Sequence, residues 1–406
     1  MKKNISILIS LFLCSIITFS QEISQWRGPN RDGIYNETGL LKKWQELGPK
    51  LLWHFDELGD GHSSATVTST AVYTAGTVNG NGVIFAFDLS GKLLWKTDYG
   101  KEWTESWDGV RSTPLYVDGK IYQMSGYGKV VCLNANDGKI IWTIDYMKDY
   151  GGKNIRWGVT ENLLVDGDKL FCTTGGEEAN VIALDRNTGK LIWKSKGKGE
   201  ESAYCSPTLI KISSKKILVT MTANSIIGIE ASNGNLLWSH EQTNQYSVHA
   251  NTPIYKDGYL YCVSGYGKGG VMLKLSDDGS SVSEVWRSEL QDTRMGGVVL
   301  VDGKLYGSGD KSRKWFVLDW KTGKELGSSD VLSKSGNIIF ADGMLYCYSE
   351  SGEVALAEPK VDGYNFISKF KVPFGKNPHW AHLVIKDKKL YVRHGASLMV
   401  YSIQSN

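Results

Sequence analysis

The sequence predicts an all-β chain folded as an eight-bladed β-propeller, on three observations. One phrase recurs: FDLSGKLLW at 87–95, LNANDGKIIW at 133–142, LDRNTGKLIW at 184–193, IEASNGNLLW at 229–238 and LDWKTGKEL at 318–326. It recurs at an even spacing. Trp53, Trp95, Trp142, Trp193, Trp238 and Trp286 lie 42, 47, 51, 45 and 48 residues apart, and Leu326 and Phe370 extend the series by 40 and 44. A period of about 40–50 residues belongs to propellers and solenoids. Finally, each unit reads as four short alternating strands separated by Asp-Gly, Thr-Gly, Ser-Gly or Asn-Gly, whose Gly supplies the positive φ of a tight turn. Four-stranded sheets at this period close radially.

The chain begins with a segment outside that pattern. Lys2 and Lys3 precede an apolar run from Ile5 to Phe19, and small residues Thr18 and Ser20 flank a cut before Gln21. Residues 1–20 are therefore expected to be a secretory signal peptide. Leu13 before Cys14 is too large for a lipidated cysteine, so a lipoprotein anchor is not expected, and the protein is expected in the periplasm or secreted. No later stretch is long and apolar enough for a membrane span. Residues 21–48 are expected to form an N-terminal latch, with 49–406 as the propeller.

Composition narrows the function. The chain has 46 Lys+Arg against 43 Asp+Glu, and removing the two leader lysines leaves 44 against 43. With no basic run, nucleic acid is not an expected partner. The mature Cys are 132, 172, 205, 262 and 347. Cys172, Cys262 and Cys347 follow an aromatic at equivalent points of separate repeats (KLFC, YLYC, MLYC), so they are read as small buried residues rather than a disulfide framework.

Seven complete units start near 65, 111, 159, 204, 250, 295 and 335. An eighth starts at His379 with three strands only. PKLLWHF at 49–55 carries the phrase without preceding strands, so it is expected to complete the eighth sheet and close the ring. The Trp of the phrase is expected to dock on the neighbouring blade, which by area is worth ~2–3 kcal/mol. Trp53, Trp95, Trp142, Trp193, Trp238 and Trp286 are read as structural.

A turn Gly followed four residues later by Trp, once per blade, resembles the tryptophan-docking repeat of the pyrroloquinoline-quinone (PQQ) propeller superfamily, and the likeness covers about 26–404. WRGPNRDGIY at 26–35 is similar to an N-terminal signature of exported PQQ-like proteins, and its expected place is a latch beside the closing strand. The resemblance implies one of two roles: a quinoprotein dehydrogenase holding PQQ and calcium, or a non-catalytic propeller such as the outer-membrane assembly factor.

A site is expected where loops lead into the innermost strands at one mouth of the channel. Those loops carry Trp107, Asp108 and Arg111, then Arg156, Trp157 and Glu161, then Tyr204. Further on come His249 and Asn251, then Arg294, then Trp380 and His382. Aromatic faces with Arg and His suit a polar or anionic ligand. His54, His62 and His379 add to the imidazoles near this mouth or on the closing strand. His379 and His382, at i,i+3 on a strand, point to opposite faces, so no metal is expected. For a quinone enzyme, Glu161, Asn251 and Asp292 would supply oxygens to calcium and Arg294 would face the quinone. The expected function is non-enzymatic binding or scaffolding of a polar small molecule, glycan or envelope protein at the funnel, with no cofactor. A PQQ/calcium dehydrogenase acting on alcohols or sugars is the first alternative, and a carbohydrate-binding or carbohydrate-active propeller the second.

Overall fold

A computed structural model describes residues 22–405, so the expected leader lies outside the described residues. Eight antiparallel sheets of four propeller strands each follow one another along the chain. Blades 1 to 7 span 66–101, 115–145, 164–195, 208–241, 254–288, 298–329 and 336–371. Blade 8 is made from 384–402 and the N-terminal strand Lys50–Phe55, which pairs antiparallel with Ser397–Ser402. The expected closure between the termini is thus present. Among the described residues a single short helix, Tyr146–Tyr150, follows blade 2 and is capped by Asp145; the alternating strand pattern gave no sign of it.

The recurring phrase is a two-part joint. In each blade the register between the third and fourth strands slips by one residue beside the Trp position. That bulge turns the Trp toward the next blade, where it meets the turn Gly of the same phrase. A Cβ on Gly138 would lie 2.5 Å from the Trp95 ring, and one on Gly189 2.8 Å from Trp142. Both glycines have positive φ as well, so the turn and the docking surface require the same residue. The indole N–H groups of Trp95, Trp142, Trp193 and Trp286 donate to carbonyls of the following blade: Ala135, Arg186, Ala231 and Trp320. Trp238 instead covers Gly228 of its own blade, and its Nε1 has no partner.

Two positions in the Trp series need correction. Residue 326 is the bulge residue, and Gly327, opposite Val317, holds the Trp place in blade 6. In blade 7 the place falls to Ser368, opposite Leu356, rather than Phe370. Aromatics from elsewhere fill both gaps. Tyr364 of blade 7 lies 5.5 Å from Tyr306 and donates its hydroxyl to Phe316 O of blade 6. Trp44, before the closing strand, lies 5.8 Å from Tyr346, much as Trp142 lies 6.1 Å from Tyr122. The Trp44 backbone N–H donates to Ser368 Oγ.

The N-terminal segment is more than a latch beside the closing strand. Ile23–Ser24 pairs antiparallel with Leu115–Val117, the innermost strand of blade 2. Ile34–Tyr35 pairs parallel with Gly336–Ala341, the innermost strand of blade 7. Innermost strands run from the loop mouth toward the Asp-Gly hairpins. The segment therefore rises from the hairpin mouth, turns at 27–33 inside the channel and descends. Its later part, from Glu37 to Trp44, lies beside the closing blade, where Glu37 accepts from the Asp387 and Lys388 N–H groups and the Leu41 N–H donates to Ile403 O.

The five cysteines of the described residues are buried and unpaired, as the repeat register implied for Cys172, Cys262 and Cys347. No helix among the described residues is long and apolar enough to cross a membrane.

Candidate functional site

The hairpin tip forms the floor of a cup. The Arg27 guanidinium is buried and donates to the Val298 and Asp32 carbonyls at 2.6 and 3.2 Å. Its Nη1 lies 3.2 Å from His382 Nδ1. On the other side of the channel Arg31 donates to Asn162 O, Leu163 O and Pro207 O at 2.6, 3.0 and 2.9 Å. The two arginines therefore tie blades 6 and 8 to blades 3 and 4 across the axis. Neither is paired with a carboxylate, and burial lowers the pKa of each to about 10. Gly33 and Gly297 make this possible, because a Cβ on either would come within 2.6 Å of the Arg27 guanidinium.

Above this floor the loop mouth encloses about 440 Å³. Nine predicted residues line it: Trp107, Arg111, Arg156, Trp157, Glu161, Tyr204, Arg294, Trp380 and His382. The other three do not. Asp108 faces solvent beside Trp107. His249 is fully buried, with Nδ1 on Ser264 Oγ and Nε2 donating to Ala223 O. Asn251 joins blades 5 and 6, donating to Thr293 O and accepting from Gly297 N. The strand reading overlooked that a loop's last polar residues are the ones consumed by the junction. It also left out Trp26, Tyr246 and Tyr266, which line the cup as well. For Tyr266 a topological signal existed: its SGYG turn joins second and third strands, and such turns reach the same mouth as the loops into the first. His62, noted only as a nearby imidazole, lines the wall beside Trp380, with ring centroids 4.7 Å apart.

Several cup groups are buried without a protein partner: Glu161 Oε2, Tyr204 OH, His62 Nδ1 and Arg111 Nε. The Glu161 carboxyl accepts from Thr173 N at 2.6 Å through its other oxygen, and burial pushes its pKa up to about 7. Burial, with Arg393 and Arg111 nearby, lowers His62 to about 3; burial and Arg27 do the same to His382. Both imidazoles are neutral at physiological pH. Arg294 is neutralised by Asp310 and Glu350, at 3.1 and 2.8 Å. Arg111 donates only to the carbonyls of Ser106, Trp107 and Trp157. Trp107, Tyr204 and Tyr266 have φ of 51°, 66° and 59°, a strained conformation for aromatic residues that is commonest at functional sites.

These groups do not match the PQQ and calcium that the fold family implies. Asn251 is consumed as described, and the Asp292 carboxylate accepts from Gly267 N and Lys311 N. Neither lines the cup, which leaves Glu161 without the oxygen partners a calcium ion requires. The cup's ring pairs are tilted by 48–71° (Trp107 on Trp380, Trp157 on Tyr246, Tyr246 on Tyr266), so they offer no parallel faces to a flat quinone. The residues present do not fit a calcium-held PQQ. No group of three or more His, Cys, Asp or Glu that could hold a metal occurs among the described residues. His379 stacks on His394 at 3.6 Å, apart from the His382 contacts.

A family profile described as outer membrane protein assembly factor BamB matches residues 80–280. A quinoprotein ethanol dehydrogenase of Pseudomonas aeruginosa is 31% identical over 120 residues, covering 29% of this chain and 18% of that one. An outer membrane protein assembly factor BamB of Kangiella koreensis is 26% identical over 208 residues, 49% of each chain. The matched region is thus half or less of the length of these curated relatives. The solved structure of BamB from Moraxella catarrhalis is similar in fold, with a TM-score of 0.60 at 14% identity over 85% of this chain and 95% of that one. Repeat, ring and profile agree, and the chain belongs to the PQQ-like β-propeller repeat superfamily.

Proposed function

We propose that this protein is an exported, non-enzymatic PQQ-like propeller that binds a small polar ligand in the cup. One observation carries the reading: the rings of Trp107, Trp157, Tyr204 and Trp380, with Arg111 and Arg156, surround a cavity of about 440 Å³ that the hairpin tip closes below. A ligand with an apolar face and a polar or anionic edge matches that lining. A rigid ring around a blind cavity suits capture better than a broad docking face. Quinone-dependent oxidation of alcohols or sugars is the second reading, favoured by the dehydrogenases among the relatives and weakened by the absence of a convergent donor set.

The test is a thermal-shift screen of the mature protein against small polar metabolites, repeated on Trp380→Ala. A ligand at a hundredfold excess over its Kd stabilises by about 2.7 kcal/mol, enough to read as a rise in Tm. At least one compound should raise Tm in the parent and not in the variant. If no compound does so, or if every rise survives Trp380→Ala, the cup is not the binding site.

A further inference from the structure

We propose that the cup's ligand is a carboxylated sugar ring, a hexuronate in free or glycosidic form; this rests on the binding reading above. Three independent features of the cup converge on that chemistry. The polar part of the wall asks for hydroxyl partners. Half-buried Thr160 lines the cup together with Glu161, Asn162, Tyr204 and Ser206, a mix of hydroxyl, carboxyl and amide groups. A purely apolar ligand answers none of them.

The charge asks for an anion. Arg111 is held in place by backbone carbonyls alone, and Arg156 lies on the rim with its guanidinium 4.9 Å from the Trp157 ring centroid. Neither forms an ion pair with a carboxylate, whereas Arg294 already has two. The floor beneath adds Arg27 and Arg31, likewise without a paired carboxylate. A single ligand carboxylate between Arg111 and Arg156 would answer this excess with charge-assisted hydrogen bonds.

The shape of the apolar wall asks for a puckered ring. Trp107 is 56% exposed, and its ring meets Trp380 at 48° rather than in parallel. Tyr246 stands at 71° to Trp157. A flat polycyclic anion needs parallel faces above and below. A pyranose presents a C–H face to one ring and its equatorial edge to the next, which an angled wall accommodates.

The experiment follows quenching of tryptophan fluorescence by glucuronate and galacturonate, each beside its neutral twin, glucose or galactose. The parent should bind at least one uronate saturably, and about tenfold or more tighter than the twin, the usual gain from one charge-assisted contact. Arg156→Gln, a rim substitution away from the core, should weaken the uronate by a similar factor and leave the neutral sugar unchanged. Arg111→Gln should do the same where the variant melts like the parent. Equal binding of acid and neutral twins, or uronate binding that survives both substitutions, overturns the sugar-acid assignment while leaving a sugar-binding cup. Absence of uronate binding also overturns it; a cup ligand found by the thermal screen then shows that only the chemical class was wrong.

Discussion

Glu161 shows how one side chain joins the site to the stability of the ring. Its unfolded value is near the ordinary 4.5, whereas burial holds it near 7 in the fold, only partly offset by the Thr173 N–H and by Arg31. Between those values the folded state binds more protons than the unfolded chain. Stability is therefore complete below about pH 4.5, falls as pH climbs through about 7, and then levels. The full drop is on the order of 3 kcal/mol. Glu161→Gln has no proton to lose, so it should flatten that part of the curve. Urea unfolding of parent and variant at about pH 5 and about pH 8 isolates the difference from every other titrating group. An unchanged difference between the two pH values in the variant would show that Glu161 is not the group responsible. The same loss of charge below pH 7 makes the cup more favourable to an anion in mildly acidic surroundings.

Among the elements, what repeats was legible and what substitutes for the repeat was not. The Gly and Trp of the phrase share one chain segment, so spacing alone exposed blades 1 to 5, and the lone PKLLWHF showed how the ring closes. Blades 6 and 7 were misread by one and two residues, because the bulge that places the Trp leaves no mark once the Trp is gone. Their replacements come from outside the repeat, so no periodicity could reveal them: Tyr364 reaches back from the following blade, and Trp44 comes from the latch. Loop residues at the mouth suffered the converse problem. His249 and Asn251 have the same chemistry as cup residues but are spent on the junctions beneath it. The docking account makes a direct prediction. Trp44, only 4% exposed, should behave like the resident docking residue Trp142, although it lies in no blade. Trp44→Ala should cost about 3–5 kcal/mol, the range for truncating a buried Trp, and Trp142→Ala, whose ring is partly exposed, somewhat less. Chemical denaturation provides the comparison, and a loss below about 1 kcal/mol for Trp44→Ala would mean the 7–8 junction is held by something else.

For the whole molecule, one N-terminal segment, residues 22–55, both closes the ring and floors the cup, and the two jobs are separable. Closure depends on Lys50–Phe55 and Trp44, which lie after the hairpin. The floor depends on 23–35, whose two arginines serve carbonyls of blades 3, 4 and 6 from inside the channel. Deleting 22–38 should therefore leave an eight-bladed ring with an open channel. The exposed carbonyls gain water in place of guanidinium, so the loss should be a few kcal/mol, at about 1 kcal/mol per hydrogen bond. It should also be local. The strands Leu115–Val117 and Gly336–Ala341 lose a paired neighbour, whereas blades 4 and 5 have no strand pairing with the segment. Hydrogen exchange should accelerate in those two inner strands and stay unchanged in blade 5, which neither pairs with the segment nor receives its arginines, with circular dichroism preserved. Ligand-induced stabilisation should vanish with the floor. Global unfolding of the deleted chain, or equal acceleration in every blade, would mean that the hairpin is part of the closure itself, and that cup and ring cannot be separated.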